Sequence, residues 1–301
     1  MVQRHVTESI KQHRQFLEAQ AAQVDNPAAG FFGPGSMAWR ISREVLLGLI
    51  VLRALFMQVA HPKVAQGVAD HSDFRRRPVQ RALSTFRSQQ KIVFGSCEEA
   101  IEALMRIYAR HTQVRGRVSA APAALDSPDY DANDPALLLW VYATLIDSMF
   151  YAYRTFLPDL SSAEWDAFYE EGKLFARLIG IPEDHTPPTL DDFNRWMSAK
   201  IASEEITIIP VAKEISASLL SLPVRLATPL TSALVAGSLP PSLRRDFGLP
   251  WGPTRQRAFD LGAGLLRGLV RYVPVWLRTS PAYWVAKRQA RKAEGQLQAR
   301  P

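Results

Sequence analysis

The sequence predicts an all-α protein, a single multi-helical domain, and three observations predict it. Apolar residues recur with the helical period along most of the chain, and no stretch alternates convincingly with period two. Helix start and stop signals, hydroxyl or acidic caps in front and Gly or Pro behind, punctuate those stretches. No G-x-G-x-x-G turn, Walker-type loop or internal repeat is present, which removes the main support for nucleotide-binding α/β folds and for solenoids. The 301 residues, 47% hydrophobic and 22% charged, suffice for one large packed body. Its expected limits are residues 26–290, between a polar arm at 1–25 and a basic tail at 291–301.

Residues 1–23 are polar and compatible with a helix, and the Gly/Pro-rich stretch from Asn26 to Gly35 breaks it. After Trp39, the segment ISREVLLGLIVLRALFMQVA lacks Pro and is apolar on most of its circumference, which predicts one buried central helix ending at His61-Pro62. Asp70-His71-Ser72-Asp73 reads as a turn. A helix is expected from Pro78 through Arg81 and Thr85 toward Phe94, closed by Gly95. Ser96, with Glu98 and Glu99 behind it, opens the next, whose apolar line runs through Ile101, Leu104, Ile107 and His111 to Val114. Residues 118–136 read as a loop. Asp134-Pro135 then starts a long apolar helix to Phe156, Ser161-x-x-Glu164 is a capping box for a helix ending before Gly180, and Thr189 repeats the start signal. Beyond Pro210, helical segments are cut at Pro223, Pro229, Pro240-Pro241 and Pro250, and the last helices are expected over about 254–271 and 279–297.

The 36 basic and 29 acidic residues give a net charge of +7, concentrated at Arg75-Arg76-Arg77, between Arg244 and Arg257, and at the basic C-terminal end. Aromatics do not interleave with these bases and no groove-reading motif is present, so no nucleic-acid partner is expected. Cys97 is the sole cysteine, which excludes an intrachain disulfide and a thiolate metal cage. The opening MVQRHVTESIKQHRQ is too polar for a secretory signal, and a cytoplasmic location is the expectation. The apolar runs from Val45 and from Ala136 stop at Arg53 and Thr144, short of the roughly twenty residues of a membrane span. The segment from Leu261 to Arg291 mixes Leu265, Leu266, Leu269, Trp276 and Trp284 with Arg and Lys. That mixture suits either a helix packed on its own domain or peripheral contact with an anionic membrane.

Three histidines fall within 51 positions: His61, His71 and His111. His111 shares a helix face with Leu104 and Ile107, so its imidazole is either a hydrogen-bonded core residue or an axial ligand to a haem iron. Arg81 and Thr85 stand one turn apart, able to bind a carboxylate such as a haem propionate or to serve only their own surface. His61 and His71 with Asp70 or Asp73 offer a competing His/carboxylate metal site. Asp147, inside the apolar helix, needs a partner such as Arg43 or Arg81.

Taken in order, Trp39-x₃-Arg43-Glu44, Leu55-Phe-Met-Gln-Val-Ala-His61-Pro62, Gly67-Val-x-x-His71-Ser-x-Phe74, Arg81-x₃-Thr85, Val93-Phe-Gly95, His111-x-x-Val114-Arg-Gly116 and Asp134-Pro-x-x-Leu-Leu-Trp140-Val-x-Ala-Thr144 resemble the oxygenase MpaB and rubber oxygenase (latex clearing protein) family, from Trp39 to about Arg245. The resemblance implies a globin-like helical domain enclosing a haem pocket, with haem b as cofactor, His111 as proximal iron ligand, and Arg81, Ser84 and Thr85 beside the haem. Rubber oxygenases carry Lys where this chain has Ser84. Their distal carboxylate aligns with no residue here, the nearest being Glu44, Asp70 and Asp73, so no catalytic residue is named. What the resemblance implies is O₂ chemistry on an apolar, unsaturated substrate of isoprenoid or lipid-like type. Two alternatives stand beside it: a non-catalytic haem or lipid-binding protein, and a non-haem His/carboxylate metalloenzyme.

Overall fold

The long apolar segment that Asp134 opens is the axis of the molecule. A computed structural model describes the backbone of residues 2–74, 78–220 and 228–298, with side chains except at 2–5, 78–83, 228 and 297–298. Its described helices are α1 (Val2–Ala21), α2 (Met37–Ser42), α3 (Val51–Val59), α4 (Pro62–His71), α5 (Pro78–Phe94), α6 (Cys97–His111), α7 (Pro135–Phe156), α8 (Ser162–Leu178), α9 (Leu190–Ala202), α10 (Pro210–Leu220), α11 (Thr228–Ser238), α12 (Pro241–Asp246), α13 (Pro253–Val270) and α14 (Pro281–Gln298). The fold is all-α, as the periodicity predicts. Arg75-Arg76-Arg77 and Pro223 lie outside the described residues.

The side chain of Asp134 caps α7 by accepting from the Ala136 N–H, and Pro135 occupies the first turn. Trp140, Tyr142 and Phe150 are fully buried, and the helix is apolar on every side because α3, α8 and α13 pack around it. By length and composition α7 can cross a bilayer, contrary to the reading that its apolar run ends at Thr144. Thr144 does not interrupt it because its hydroxyl bonds the Val141 carbonyl within the helix. Within this fold 72% of that window is buried, so its apolarity is that of a core helix. A second cluster joins α1 to α6 through Leu17 and Leu104, and a third gathers Trp39, Phe94 and Tyr283 edge to face. Each such large apolar side chain contributes on the order of 1.5–3 kcal/mol by leaving water.

Three local expectations are corrected. The central helix is not continuous: α2 ends at Ser42, residues Val45–Ile50 form a 3₁₀ segment, and α3 begins at Val51. The break has a tertiary cause, since the Val45 N–H donates to the Arg278 carbonyl and Glu44 bridges to Thr279, holding Glu44 in extended backbone. Asp70 and His71 lie in the last turn of α4 rather than in a turn of their own, because His61 and Pro62 start a new helix whose first free N–H, that of Lys63, is accepted by the His61 ring. Finally, α6 ends at His111, and β1 (Arg115–Arg117), just before the expected loop, pairs with β2 (Asp129–Asp131) inside it as an antiparallel ribbon, with Gly116 opposite Tyr130. Strands of three residues are too short to show alternation.

Candidate functional site

The helical hairpin of α5 and α6 turns at Gly95 and Ser96. Ser96 accepts from the Glu99 N–H while the Glu99 carboxylate accepts from the Ser96 N–H, so both orphan donors of the helix start are satisfied. At 1.5 Å per residue, His111 lies ~21 Å along α6 from Cys97, and Arg81 lies ~20 Å back along α5 from Phe94. Counted along each helix, His111 and Arg81 therefore stand about equally far from the hairpin's bend, with Thr85 about a turn nearer it. Ser84 and Thr85 are exposed on α5, and the side chain of Arg81 lies outside the described residues.

His111 is the last residue of α6 and is partly buried. Loss of solvation pushes its pKa below the ordinary 6.5, against the opposing pull of Asn133 and Asp131, so the ring is neutral at neutral pH. Asn133 follows β2, and its Oδ1 is buried without a hydrogen-bond partner among the described residues, its amide lying against His111. A buried acceptor beside a neutral imidazole is the arrangement in which one ring nitrogen is held as donor and the other is left with its lone pair. Asn133 was not singled out in the sequence. The only local signal was its place between two turn-forming aspartates.

The motif residues around it explain how this corner is held. Tyr130 donates its hydroxyl to Asp70 at 2.6 Å, which reinforces burial in raising the Tyr130 pKa. Gly67 faces the Tyr130 ring, and a Cβ on Gly116 would stand 2.5 Å from the Tyr130 oxygen, so Gly116 is the space that this side chain requires. His71 donates from Nε2 to the Arg115 carbonyl at 3.1 Å, and Arg115 pairs with Asp131 across the ribbon at 2.8 Å. The ribbon thus ties the end of α6 to α4.

The competing metal site is not assembled. His61 accepts from Lys63 through Nδ1, so Nε2 carries the proton and donates to Glu205 at 3.0 Å, while Glu205 also accepts from Lys200. Those two donors hold the Glu205 carboxyl down to about 2, the hydrogen bond from His61 contributing the larger part. Burial lowers the His61 pKa more than Glu205 raises it. With His71 spent on Arg115, the two rings serve different partners, and among the described residues no three His, Cys, Asp or Glu side chains gather as a metal site. Of the nearest carboxylates, Glu44 is buried against Arg278 at 3.0 Å, while Asp70, which holds Tyr130, and Asp73 are both exposed. Cys97 is buried and its thiol is pushed up to about 11, which leaves no thiolate nucleophile at neutral pH.

Asp147 is not paired with Arg43 among the described residues, and the side chain of Arg81, the other expected partner, lies outside them. Arg53, the residue that seemed to end an apolar run, reaches Asp147 at 2.6 Å, also donates to Ser148 and to the Ser238 carbonyl, and lies over the Tyr151 ring. This network is structural, joining α3, α7 and the end of α11.

Residues 39–271 match the family described as ER-bound oxygenase mpaB/B'/rubber oxygenase, catalytic domain. The chain is 28% identical over 251 residues to an uncharacterized protein of Mycobacterium tuberculosis (strain H37Rv) and, equally, to one of Mycobacterium bovis, covering 79% of this chain and 95% of each relative. Its fold is similar to the structure of latex clearing protein LCP in the closed state, with a TM-score of 0.55 at 18% identity over 85% of this chain and 72% of that one.

Proposed function

This chain belongs to the ER-bound oxygenase mpaB/B'/rubber oxygenase family, and from that premise we propose that it is a haem b-dependent oxygenase acting on an apolar, unsaturated substrate of isoprenoid or lipid-like type. The observation that carries the reading is His111: a neutral, shielded imidazole at a helix end, beside a buried acceptor that lacks a hydrogen. Haem, when bound, supplies the O₂ activation that no side chain can. His111 would be its proximal ligand, and Asn133 would accept the remaining ring N–H, fixing tautomer and orientation. The guanidinium of Arg81 and the hydroxyl of Thr85, one turn apart on the facing helix, suit propionate groups. Ser84, where the rubber oxygenases carry Lys, would supply no amine to a bound haem.

The absorption spectrum of protein purified from a haem-replete culture tests the reading. A Soret band is expected, lost in His111→Ala and kept in His61→Gln, whose side chain serves only Lys63 and Glu205 in the fold. Absence of the band in the parent protein, or equal loss in both variants, removes His111 as ligand. Asn133→Ala is expected to weaken haem retention by about 10–100-fold, the usual cost of losing the partner behind a ligating histidine. The substitution of Ser84 for the family's lysine favours one second reading, a haem or lipid carrier without turnover. Substrate-dependent O₂ uptake on a panel of unsaturated isoprenoids and lipids excludes that carrier, whereas haem binding without uptake selects it.

A further inference from the structure

Among the described residues thirteen large apolar side chains are exposed, and ten of them lie between Leu261 and Val285. That concentration is not the scattered exposure normal for a surface. On α13 the exposed residues Leu261, Leu265 and Leu269 repeat every fourth position, forming one stripe, and Tyr272 and Trp276 continue it into the following turn. Tyr272 is 86% and Trp276 64% exposed. On ordinary aromatic areas those two side chains alone present roughly 300 Å², about the whole of the largest apolar patch on many monomers.

The opposite face of α13 is committed to the fold. Ala263 and Val270 are buried, and the helix packs on α7 and α11. Arg267 bonds both Asp159 and the Arg154 carbonyl. Arg278, at the end of the turn, pairs with buried Glu44. The apolar stripe is thus presented on the outer side of a packed helix, and nothing among the described residues covers it.

The charge around it selects an occupant. From Leu261 to Lys292 the chain carries seven bases and no acid. Arg267 and Arg278 have their acidic partners, and Arg271, Arg288, Arg291 and Lys292 are exposed without an ion pair among the described residues. Apolar side chains with Trp and Tyr at the polar margin, flanked by Arg and Lys, match the depth profile of a bilayer interface with anionic headgroups. A second copy of the chain fits less well, since pairing this face with itself brings two sets of bases together, the nearest acids in sequence, Asp260 and Glu294, lying only at the ends of the segment.

We infer that the outer face of α13 and the turn through Trp276 dock peripherally on an anionic lipid surface. The docking is independent of haem and of the reaction, so its failure leaves the oxygenase reading standing. Co-sedimentation with vesicles of phosphatidylcholine alone, or mixed with phosphatidylglycerol, tests it. Binding to the mixed vesicles is expected, falling steeply between about 0.1 M and about 1 M salt. Arg271→Glu is expected to reduce binding about fivefold or more, the scale of one base near a charged bilayer. Leu265→Glu with Leu269→Glu is expected to reduce it about tenfold or more while far-UV circular dichroism and the melting temperature stay as in the parent, both positions being solvent-facing. No sedimentation with anionic vesicles, or binding indifferent to lipid charge and to both sets of variants, overturns the inference. A dimer in light scattering that the leucine variants dissociate also overturns it, and assigns the face to a second copy.

Discussion

Asp147 and Arg53 show how a single residue's cost depends on its partner. A carboxylate within an apolar helix is tolerable here because a guanidinium meets it at 2.6 Å and spends its other donors on Ser148 and the Ser238 carbonyl. Asp147→Ala leaves that guanidinium buried without its counter-charge and is expected to cost about 3 kcal/mol in urea unfolding. Arg53→Met combined with Asp147→Leu should recover part of the loss but not all, since Ser148 and the Ser238 carbonyl then lack their donor. His13 supplies a pH dependence. Its ring is stacked on Tyr108 at 4.2 Å and burial lowers its pKa from 6.5 to about 4, the hydrogen bond to the Leu178 backbone opposing. The unfolded chain therefore binds this proton before the folded one does, so the stabilisation is complete above pH 6.5 and is lost as the pH falls toward 4. At most about 3 kcal/mol is at stake. Unfolding free energies measured across that interval should decline in the parent and decline less in His13→Gln; equal slopes would exclude His13 as the source.

At the scale of elements, the helix starts were written locally: Ser96, Asp134, Ser161 and Thr189 each accept the backbone N–H their capping role requires. The ribbon between α6 and α7 was not, because nothing in three-residue strands distinguishes them from loop. Its register depends on a side chain rather than on propensity. Tyr130 fits against Gly116, with its hydroxyl on Asp70 of α4. Gly116→Ala is expected to cost about 1–3 kcal/mol by forcing Tyr130 outward. In a double-mutant cycle with Tyr130→Phe, which alone forfeits a hydrogen bond worth about 1 kcal/mol, the combined loss should be less than the sum of the two, since removing the oxygen removes the closest contact, at 2.5 Å, and leaves only the ring carbons at 2.8 and 3.0 Å. Strict additivity would show that the clash is relieved some other way.

For the whole molecule, the C-terminal helices act as a strap across the break in the central segment. Ser280 donates its N–H to the Arg43 carbonyl at 2.7 Å, Val45 donates to the Arg278 carbonyl, and Arg278 holds Glu44. Burial nevertheless raises the Glu44 pKa, the two arginines offsetting only part of that cost. Arg278→Ala should therefore destabilise the fold at neutral pH by about 3 kcal/mol or more and shift the titration of Glu44 upward, the latter visible by carboxylate NMR. Arg278→Lys, keeping the charge without the planar fork, is expected to restore part of the stability. Unchanged stability in Arg278→Ala would mean that the strap is held by its backbone bonds and by Tyr283 alone.

The sequence by itself determined the helical class, most helix starts and ends, and, through ordered motifs, the family and His111 as the residue to test. Those signals are local: a cap, a proline or a period is read within a few neighbours, and a motif is a string. What the tertiary structure decided was every pairing between distant residues. It turned Arg53 from the end of an apolar run into the partner of Asp147, set His61 on Glu205 and His71 on Arg115 so that the two do not share a metal, broke the central helix at Glu44, and brought Asn133 to His111. Burial and charge compensation depend on which segments meet, and that is fixed only when the whole chain packs. The same reason separates the two readings of the segment after Leu261, since its amphipathic pattern suits a packed helix as well as a membrane face, and only the occupied inner side of α13 leaves the leucine stripe facing outward.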